Sequence, residues 1–362
     1  MAEEREASDD EQQDPQQGSG GSTLTVVLAL GANIGVGVLK LVAGLLSGSS
    51  AMLAEAAHSV ADVTTEGLLL TALKRSTRRP DLRHPFGYGQ ERFFWALIAA
   101  VSVFVTGATF SVYEGVTTIV GEGAEETLAW VAYAVLGLSA VIEGISWQQA
   151  VRQVWREKAE LGIGLRRYLR LTDDPTVVNV FYEDTAAIVG LVLAAAGVFL
   201  HQQTGSGLWD GLASLAIGLL LAFVAFFLGR TNKHLLIGRN AEPRVMRAVF
   251  DHLTDAPEVS EVVDLQTMLI GTDNVLVCAR VDFDDALGAG DVEQACVRID
   301  AEMRERFTDL QQVFLEPVPR ENAEIRQAVL DRYGDMLRQW REEHDREGSS
   351  KAAAQIAANA DG

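Results

Sequence analysis

Cysteine and basic residues are scarce in this sequence. Cys278 and Cys296 are the only cysteines among 362 residues, too few for a disulfide-stabilised scaffold. Lys and Arg total 30 against 50 Asp and Glu, so the net charge is −20 at pH 7, whereas a nucleic-acid-binding protein needs a basic surface. The HExxH, GxSxG and phosphate-loop patterns are also absent, which argues against a metalloprotease, a serine hydrolase or an NTPase.

The acidic charge is concentrated at the two ends of the chain. Residues 1–22 carry a net charge of −6 and residues 241–362 carry −13, while the 218 residues between them carry −1. Apolar residues make up 48% of the chain. A near-neutral, apolar middle between acidic ends predicts a membrane-embedded body with soluble extensions.

Six stretches of the middle region reach the roughly 17–25 residues that cross a hydrocarbon core ~30 Å thick. They predict an all-α membrane bundle of six transmembrane helices. The first stretch is long enough to span and follows an acidic tail, so it is not expected to be a cleavable signal peptide. The predicted spans are 23–46, 50–73, 93–113, 128–150, 175–200 and 208–228.

The connections between the spans differ in charge. Those after the second, fourth and sixth spans contain Lys and Arg, and those after the first, third and fifth contain none. Because cytoplasmic loops keep the positive excess, both termini of this multi-pass chain are expected to be cytoplasmic, with the body in the cell membrane.

The chain beyond the membrane body has the pattern of a small α+β domain. Helix and strand periods alternate in the order αββαβ, which predicts a ferredoxin-like domain with two helices on one face of a three-stranded sheet. The predicted elements are a helix at 243–253, strands at 259–270 and 274–283 with a turn at 271–273, a helix at 291–307, a strand at 312–316 and a charged helix at 321–341. The predicted domains are a disordered acidic tail (1–22), the six-helix membrane domain (23–238), the cytoplasmic αββαβ domain (241–319), and a C-terminal helix with an Ala-rich, loose end (320–362).

Four ionisable side chains lie in the second span, at Glu55, His58, Asp62 and Glu66. Their spacing of three, four and four residues places them on one face of a helix. Ionisable groups deep in a membrane are costly, so each indicates a function. Glu55 and Glu66 lie nearer the span ends, where they either reach water or line a pathway. His58 and Asp62 lie too deep to reach water.

Asp184 in the fifth span lies at a similar depth. At 1.5 Å per residue, His58 and Asp62 lie roughly 12 and 18 Å below the outer face, and Asp184 lies roughly 16 Å below it. An imidazole and carboxylates that meet in an apolar bundle form the four-coordinate kind of site that zinc favours. A buried proton relay or a structural His–Asp hydrogen bond is the alternative.

Charged residues outside this face of the second span are also candidates, and most of them have an alternative interpretation. Glu143 in the fourth span either lines a pathway or adjoins a loop, and Asp210 at the start of the sixth is expected to touch water. In the soluble domain Asp251, His252 and Asp255 either bind a regulatory metal or form a solvated helix face.

These features together resemble the cation diffusion facilitators, the family of metal–proton antiporters that includes the zinc transporters. The resemblance covers residues 23–319. It rests on the six spans, on His58-x-x-x-Asp62, on the loop HPFGYGQER at 84–92, on Asp210-Gly211 with Ser214 and Gly218, and on Leu235-Leu236-Ile237-Gly238 before the αββαβ domain.

The fifth span departs from the family pattern. Members usually carry a second HxxxD there, and aligning its Asp with Asp184 places Val180 at the position of the histidine. The stretch is more similar to the branch that contains the mitochondrial-type zinc transporter, in which an acidic pair is usual. Glu183, Asn179 or water then supplies the remaining ligand. A site richer in oxygen selects zinc less strongly over manganese, iron or cobalt.

The resemblance implies a homodimer that exports a divalent cation, with zinc as the expected substrate, and that needs no prosthetic group. With the site open inward, neutral His58 and ionised Asp62 and Asp184 bind the metal, and after alternating access protons displace it outward. The unperturbed pKa of histidine, ~6.5, suits His58 to this coupling. Two alternatives come from other classes: a non-transporting membrane scaffold or metal sensor, and a membrane enzyme that uses the metal as a Lewis acid.

Overall fold

The computed structural model describes residues 19–121, 128–172, 174–272 and 274–346. Most of the predicted N-terminal tail, Asp273 of the predicted turn and the Ala-rich end from Gly348 lie outside these residues. The first helix begins at Ser19, so the prediction of a tail that reaches residue 22 is wrong in its last four positions.

The described elements group into two compact units. The first unit takes residues 99–150, 182–226 and the described part of 1–67. The second takes residues 68–98, 151–181 and the described part of 227–362, and it contains the β-sheet.

Long helices make up most of the described chain. They are α1 (Ser19–Ser47), α2 (Ser50–Ser76), α3 (Glu91–Ser102), α4 (Thr109–Val120), α5 (Ala129–Glu160), α6 (Leu165–Leu171), α7 (Pro175–Thr204) and α8 (Leu208–Gly238). A π-helical segment, Val103–Ala108, joins α3 to α4. Among the described residues five helices are long and apolar enough to cross a membrane: α1 from Leu30, the α3–α4 helix, α5, α7 and the helix that begins at Leu208. The less apolar α2 is not one of the five, because it carries the four ionisable residues.

Several helices extend past the ends predicted for the spans. The helix α5 continues to Glu160 and α8 to Gly238, about three turns beyond the expected ends at 150 and 228. Arg, Lys, Gln and Glu are good helix formers and occur in the extension of α5, so the hydrogen-bonded backbone continues where the apolar stretch stops. The helix α7 begins at Pro175 as predicted, and Asp174 caps it by accepting a hydrogen bond of 2.8 Å from the Thr176 backbone N–H.

Glycines shape the first unit at two places. Gly48 has φ +74°, a left-handed conformation that ends α1 and allows α2 to begin two residues later. At the crossing of α4 and α8, a Cβ on Gly115 would lie 2.8 Å from the Gly211 carbonyl oxygen. The two helix backbones are therefore in direct contact, as small residues allow in membrane proteins.

The elements after α8 follow the predicted αββαβ order. Helix α9 (Pro243–Asp255) precedes strands β1 (Val259–Gly271) and β2 (Asn274–Phe283), and α10 (Ala289–Arg306) precedes β3 (Leu310–Pro317). The sheet order is β1-β2-β3, with β1 antiparallel to β2 and β2 parallel to β3. Both helices contribute to one core, in which Phe250 and Leu253 of α9 and Ile299 of α10 pack with Leu265 and Val277 of the sheet. The two helices therefore cover the same face.

The C-terminal helix is broken, contrary to the prediction of one helix over 321–341. Helix α11 (Ala323–Tyr333) begins at an N-cap, Asn322, whose side chain accepts hydrogen bonds from two backbone N–H groups. It ends at Gly334, where φ is +57°, because a left-handed glycine terminates a helix. Residues 336–346 are again helical.

Candidate metal centre

The helix α2 holds the predicted site, and its N-terminus is fixed by a carboxylate. Asp210 of α8 accepts hydrogen bonds from the hydroxyl groups of Ser49 (2.6 Å) and Ser50 (2.8 Å) and from the Ala51 backbone N–H (3.3 Å). Asp210 is buried, so the expectation that it touches water is wrong. A carboxylate at this end of a helix satisfies backbone N–H groups and complements the helix dipole.

His58 and Asp62 are neighbours inside the first unit. The His58 Nδ1 atom lies 3.5 Å from Asp62 Oδ1, and the histidine is buried while a quarter of the Asp62 side chain is exposed. Neither ring nitrogen of His58 makes a hydrogen bond to a described residue. Buried polar atoms nearly always have partners, so these two nitrogens are an exception among the described residues.

The fifth span contributes two carboxylates that face different partners. Glu183 is buried, and its Oε1 atom has no hydrogen-bond partner among the described residues. Asp184 is half-buried and accepts a hydrogen bond of 2.8 Å from the hydroxyl of Ser146 on α5. Both interact electrostatically with Asp62. Asp62 of α2 thus interacts with both carboxylates of α7.

Asn179 belongs to the second unit, where it is buried and its side-chain oxygen lies 3.4 Å from the Asn232 amide nitrogen. Within the described ranges, no three His, Cys, Asp or Glu side chains lie close enough together to hold a metal ion. The ligand set inferred from the sequence therefore stays a prediction.

Lys40 is the residue of this region that the sequence reasoning missed. It lies in α1, is fully buried, and pairs with Glu55 at 2.9 Å and with Glu143 at 2.6 Å. The expectation that Glu55 could reach water is wrong, because Glu55 is also fully buried. A lysine in the middle of an apolar stretch carries the same cost as an acid there, and that signal could have identified Lys40.

Glu66 lies farther along the same face of α2. It is half-buried and hydrogen-bonded to the amide of Asn33 on α1. Every ionisable residue on this face of α2 is thus in contact with, or in electrostatic range of, a polar group of the first unit.

The candidates of the αββαβ domain, Asp251, His252 and Asp255, do not face one another as a group. Asp251 accepts two hydrogen bonds from Arg247, and Asp251 and Asp255 both lie near His344, at 3.4 and 3.1 Å. His252 is turned toward α10, where its Nδ1 atom lies 3.3 Å from Arg306. Partial burial lowers the pKa of His252, and the charge of Arg306 adds to this effect. The exposed fractions of the Asp251 (33%) and Asp255 (66%) side chains agree with the solvated helix face that was the alternative to a metal site.

Comparison with known proteins gives matches along most of the chain. Residues 26–237 match the family model described as the cation efflux transmembrane domain. Metal tolerance protein C4 of Arabidopsis thaliana is 36% identical over 263 residues, which cover 73% of this chain and 57% of that protein. The protein named mitochondrial proton-coupled zinc antiporter of Homo sapiens is 35% identical over 245 residues, covering 68% of this chain and 43% of that protein.

A more distant relative matches over a larger share of its own length. Magnetosome protein MamB of Paramagnetospirillum magneticum is 23% identical over 293 residues, which cover 80% of this chain and 93% of that protein. The chain spans about half the length of the first two relatives. Since the family model covers more than half of the chain, and two relatives are 35–36% identical over 68–73% of it, the chain belongs to the cation diffusion facilitator, or cation efflux, family, whose members are transporters and not enzymes.

Proposed function

We propose that this chain exports a divalent metal ion from the cytoplasm in exchange for protons, and that zinc is its preferred substrate. The observation that carries the proposal is the buried His58–Asp62 pair, in which neither ring nitrogen is hydrogen-bonded to a described residue. Two of the similar proteins are named for metal tolerance and for proton-coupled zinc antiport.

The proposed ligands are His58, Asp62 and Asp184, with Glu183 as a further donor. Imidazole nitrogen and carboxylate oxygen are ligands that zinc accepts in tetrahedral sites. Asp62 and Asp184 are both partly buried in the first unit. With one nitrogen donor, the site selects zinc over manganese, iron and cobalt less strongly than a site with two.

The exchange follows from competition for the same lone pairs. A metal ion binds the neutral imidazole of His58 and the ionised carboxylates, so protonation of these groups releases it. When helices move to open the site on the opposite side, protons displace the metal, and the protonated site returns. Glu55, Glu66 and Glu143 lie in the same unit and line the path.

The proposed architecture places six helices across the membrane, α2 being the sixth beside the five apolar ones. The protein lies in the cell membrane with both termini cytoplasmic, and its membrane domain up to residue 238 is followed by the cytoplasmic domain (241–319) and by a C-terminal segment from residue 320. The αββαβ elements form a ferredoxin-like domain, and two copies of the chain form a homodimer. The helix order and the single core shared by α9, α10 and the sheet support this assignment of the cytoplasmic domain.

Purified full-length protein in sealed vesicles tests the proposal. Zinc, manganese, iron and cobalt are added outside in turn, and metal entry and internal pH are followed together. We expect zinc to enter and the interior to become more alkaline as protons leave. A scaffold or sensor gives no flux, and an enzyme gives product without net flux. Either result would overturn the proposed function.

A further inference from the structure

Lys40 pairs with two carboxylates from two other helices of the first unit. Its ammonium lies 2.9 Å from Glu55 Oε2 on α2 and 2.6 Å from Glu143 Oε1 on α5. The side-chain exposures are 0% for Lys40, 0% for Glu55 and 15% for Glu143. This is a buried, three-membered charge cluster with a net charge of −1.

A purely structural bridge does not need the second carboxylate. One carboxylate balances one buried ammonium, and each additional buried charge carries a desolvation cost. The other oxygen of each acid, Glu55 Oε1 and Glu143 Oε2, is buried and without a hydrogen-bond partner among the described residues. The cluster therefore offers unused oxygen lone pairs directed into the protein, in addition to the two oxygens that Lys40 occupies.

The cluster adjoins the proposed metal site. Glu55 lies three residues before His58 on the same face of α2. His58 and Asp62 both interact electrostatically with Lys40, Glu55 and Glu143. From α7, Asp184 interacts with Asp62. An ion that reaches His58 and Asp62 is thus close to the two glutamates as well.

We propose that Lys40 determines where the metal binds, by holding its ammonium at the position between Glu55 and Glu143 that a divalent cation would otherwise take. The ammonium occupies one oxygen of each glutamate, so the incoming metal binds at the His58–Asp62 end of the face. Lys40 is in this sense a specificity-determining residue. The inference rests on the proposed function only for the route of the metal, and the binding experiment below does not depend on transport.

Replacement of Lys40 by methionine removes the ammonium and keeps an unbranched side chain of similar length. The charge of the cluster then changes from −1 to −2, and two carboxylates face each other without a counter-ion. Oxygen donors of this kind suit a hard cation such as Mn²⁺. Lys40→Arg keeps the positive charge, and the double variant Lys40→Met/Glu143→Gln restores a net charge of −1 without an ammonium.

The test counts Mn²⁺ bound to purified full-length protein at pH 8 by electron paramagnetic resonance, with the wild type as reference. Lys40→Met is expected to bind about one more Mn²⁺ per chain, and this ion should be lost as the pH is lowered because protons compete for the carboxylates. Lys40→Arg and the double variant should bind the same number as the wild type. A merely structural bridge would alter the melting temperature without altering this count.

An unchanged Mn²⁺ count in Lys40→Met would overturn the inference, whatever happens to stability. If Lys40→Met cannot be purified without metal, we expect Mn²⁺ in the buffer to restore it, because the metal replaces the ammonium. Failure to fold with and without Mn²⁺ would also contradict the inference. If Lys40→Met binds an extra Mn²⁺ and the wild type transports no metal, the inference about Lys40 holds and the proposed transport function is contradicted.

Discussion

The carboxylate of Asp210 accepts a hydrogen bond of 3.3 Å from the backbone N–H of Ala51, so a residue of α8 caps the first turn of α2. The helix that carries His58 and Asp62 is therefore held at its N-terminus by a buried acid from the other end of the membrane sequence. Any shift of α8 at this level changes the position of the first turn of α2.

Asp210→Ala is expected to destabilise the protein by about 1–2 kcal/mol, because it removes the cap of α2. Asp210→Asn should cost less, since the amide oxygen still accepts one of the hydrogen bonds. Thermal unfolding of the two purified variants measures the difference. Glu114→Gln is the matched control, because Glu114 interacts electrostatically with Asp210 but does not cap α2. Equal melting temperatures for Asp210→Ala and the control would contradict the capping role.

Gly190 on α7 leaves the space that the Glu55 carboxylate occupies. A Cβ at this position would lie 2.3 Å from Glu55 Oε1. We expect Gly190→Ala to destabilise the protein by about 1–3 kcal/mol through overpacking. Adding Glu55→Asp, which shortens the acid by one methylene, should recover part of the loss. Gly144→Ala on α5 is the control, because a Cβ there meets nothing within 4 Å. The prediction fails if both glycine variants melt alike.

Asp184→Asn and Glu183→Gln form a matched pair that removes one charge each. Asp184 is a proposed ligand and interacts electrostatically with Asp62, so we expect Asp184→Asn to abolish zinc flux. Glu183→Gln should weaken the flux or shift its pH dependence, because the buried Glu183 acts on the site through its charge. Flux of zinc and manganese in vesicles compares the two. The reverse order would mean that α7 presents Glu183 and Asn179 to the metal.

The lowered pKa of His252 predicts that the free energy of unfolding of the αββαβ domain depends on pH. Burial lowers its pKa in the folded protein below the unfolded value of ~6.5. The unfolded state then binds more protons than the folded state near this pH, so stability falls as the pH drops through ~6.5. Urea unfolding of the full-length protein at pH 7.5 and at pH 5.5 should show a smaller loss for His252→Gln than for the wild type. Identical losses would exclude His252 as the cause.

The sequence predicted the α2 face well because helical spacing is a local property. The steps from Glu55 to His58, Asp62 and Glu66 define a face without knowledge of any other helix. The αββαβ order was also predicted, because period-2 and period-3.6 patterns alternate there. The predicted helix ends were less accurate. The fourth span was expected to end at residue 150, whereas α5 continues through charged residues, which are helical but not apolar, to Glu160.

The contacts between helices could not be predicted from local patterns. Nothing in the spacing around Lys40 shows that Glu55 and Glu143, which lie 15 and 103 residues away, meet its ammonium. The burial of Asp210 depends in the same way on Ser49 and Ser50, some 160 residues earlier in the chain. Such pairings depend on how the whole unit packs, and the spacing of residues along the sequence does not show that packing.

Zinc flux through Asp62→Asn vesicles tests the central claim most directly. The substitution removes one carboxylate charge from the His58–Asp62 pair while it keeps the shape of the side chain and lowers the cost of burial. We expect wild-type vesicles to take up zinc with proton counterflow, and Asp62→Asn vesicles to show neither, at both limiting and saturating zinc, with the variant as stable as the wild type. Equal zinc uptake by the two proteins would contradict the account.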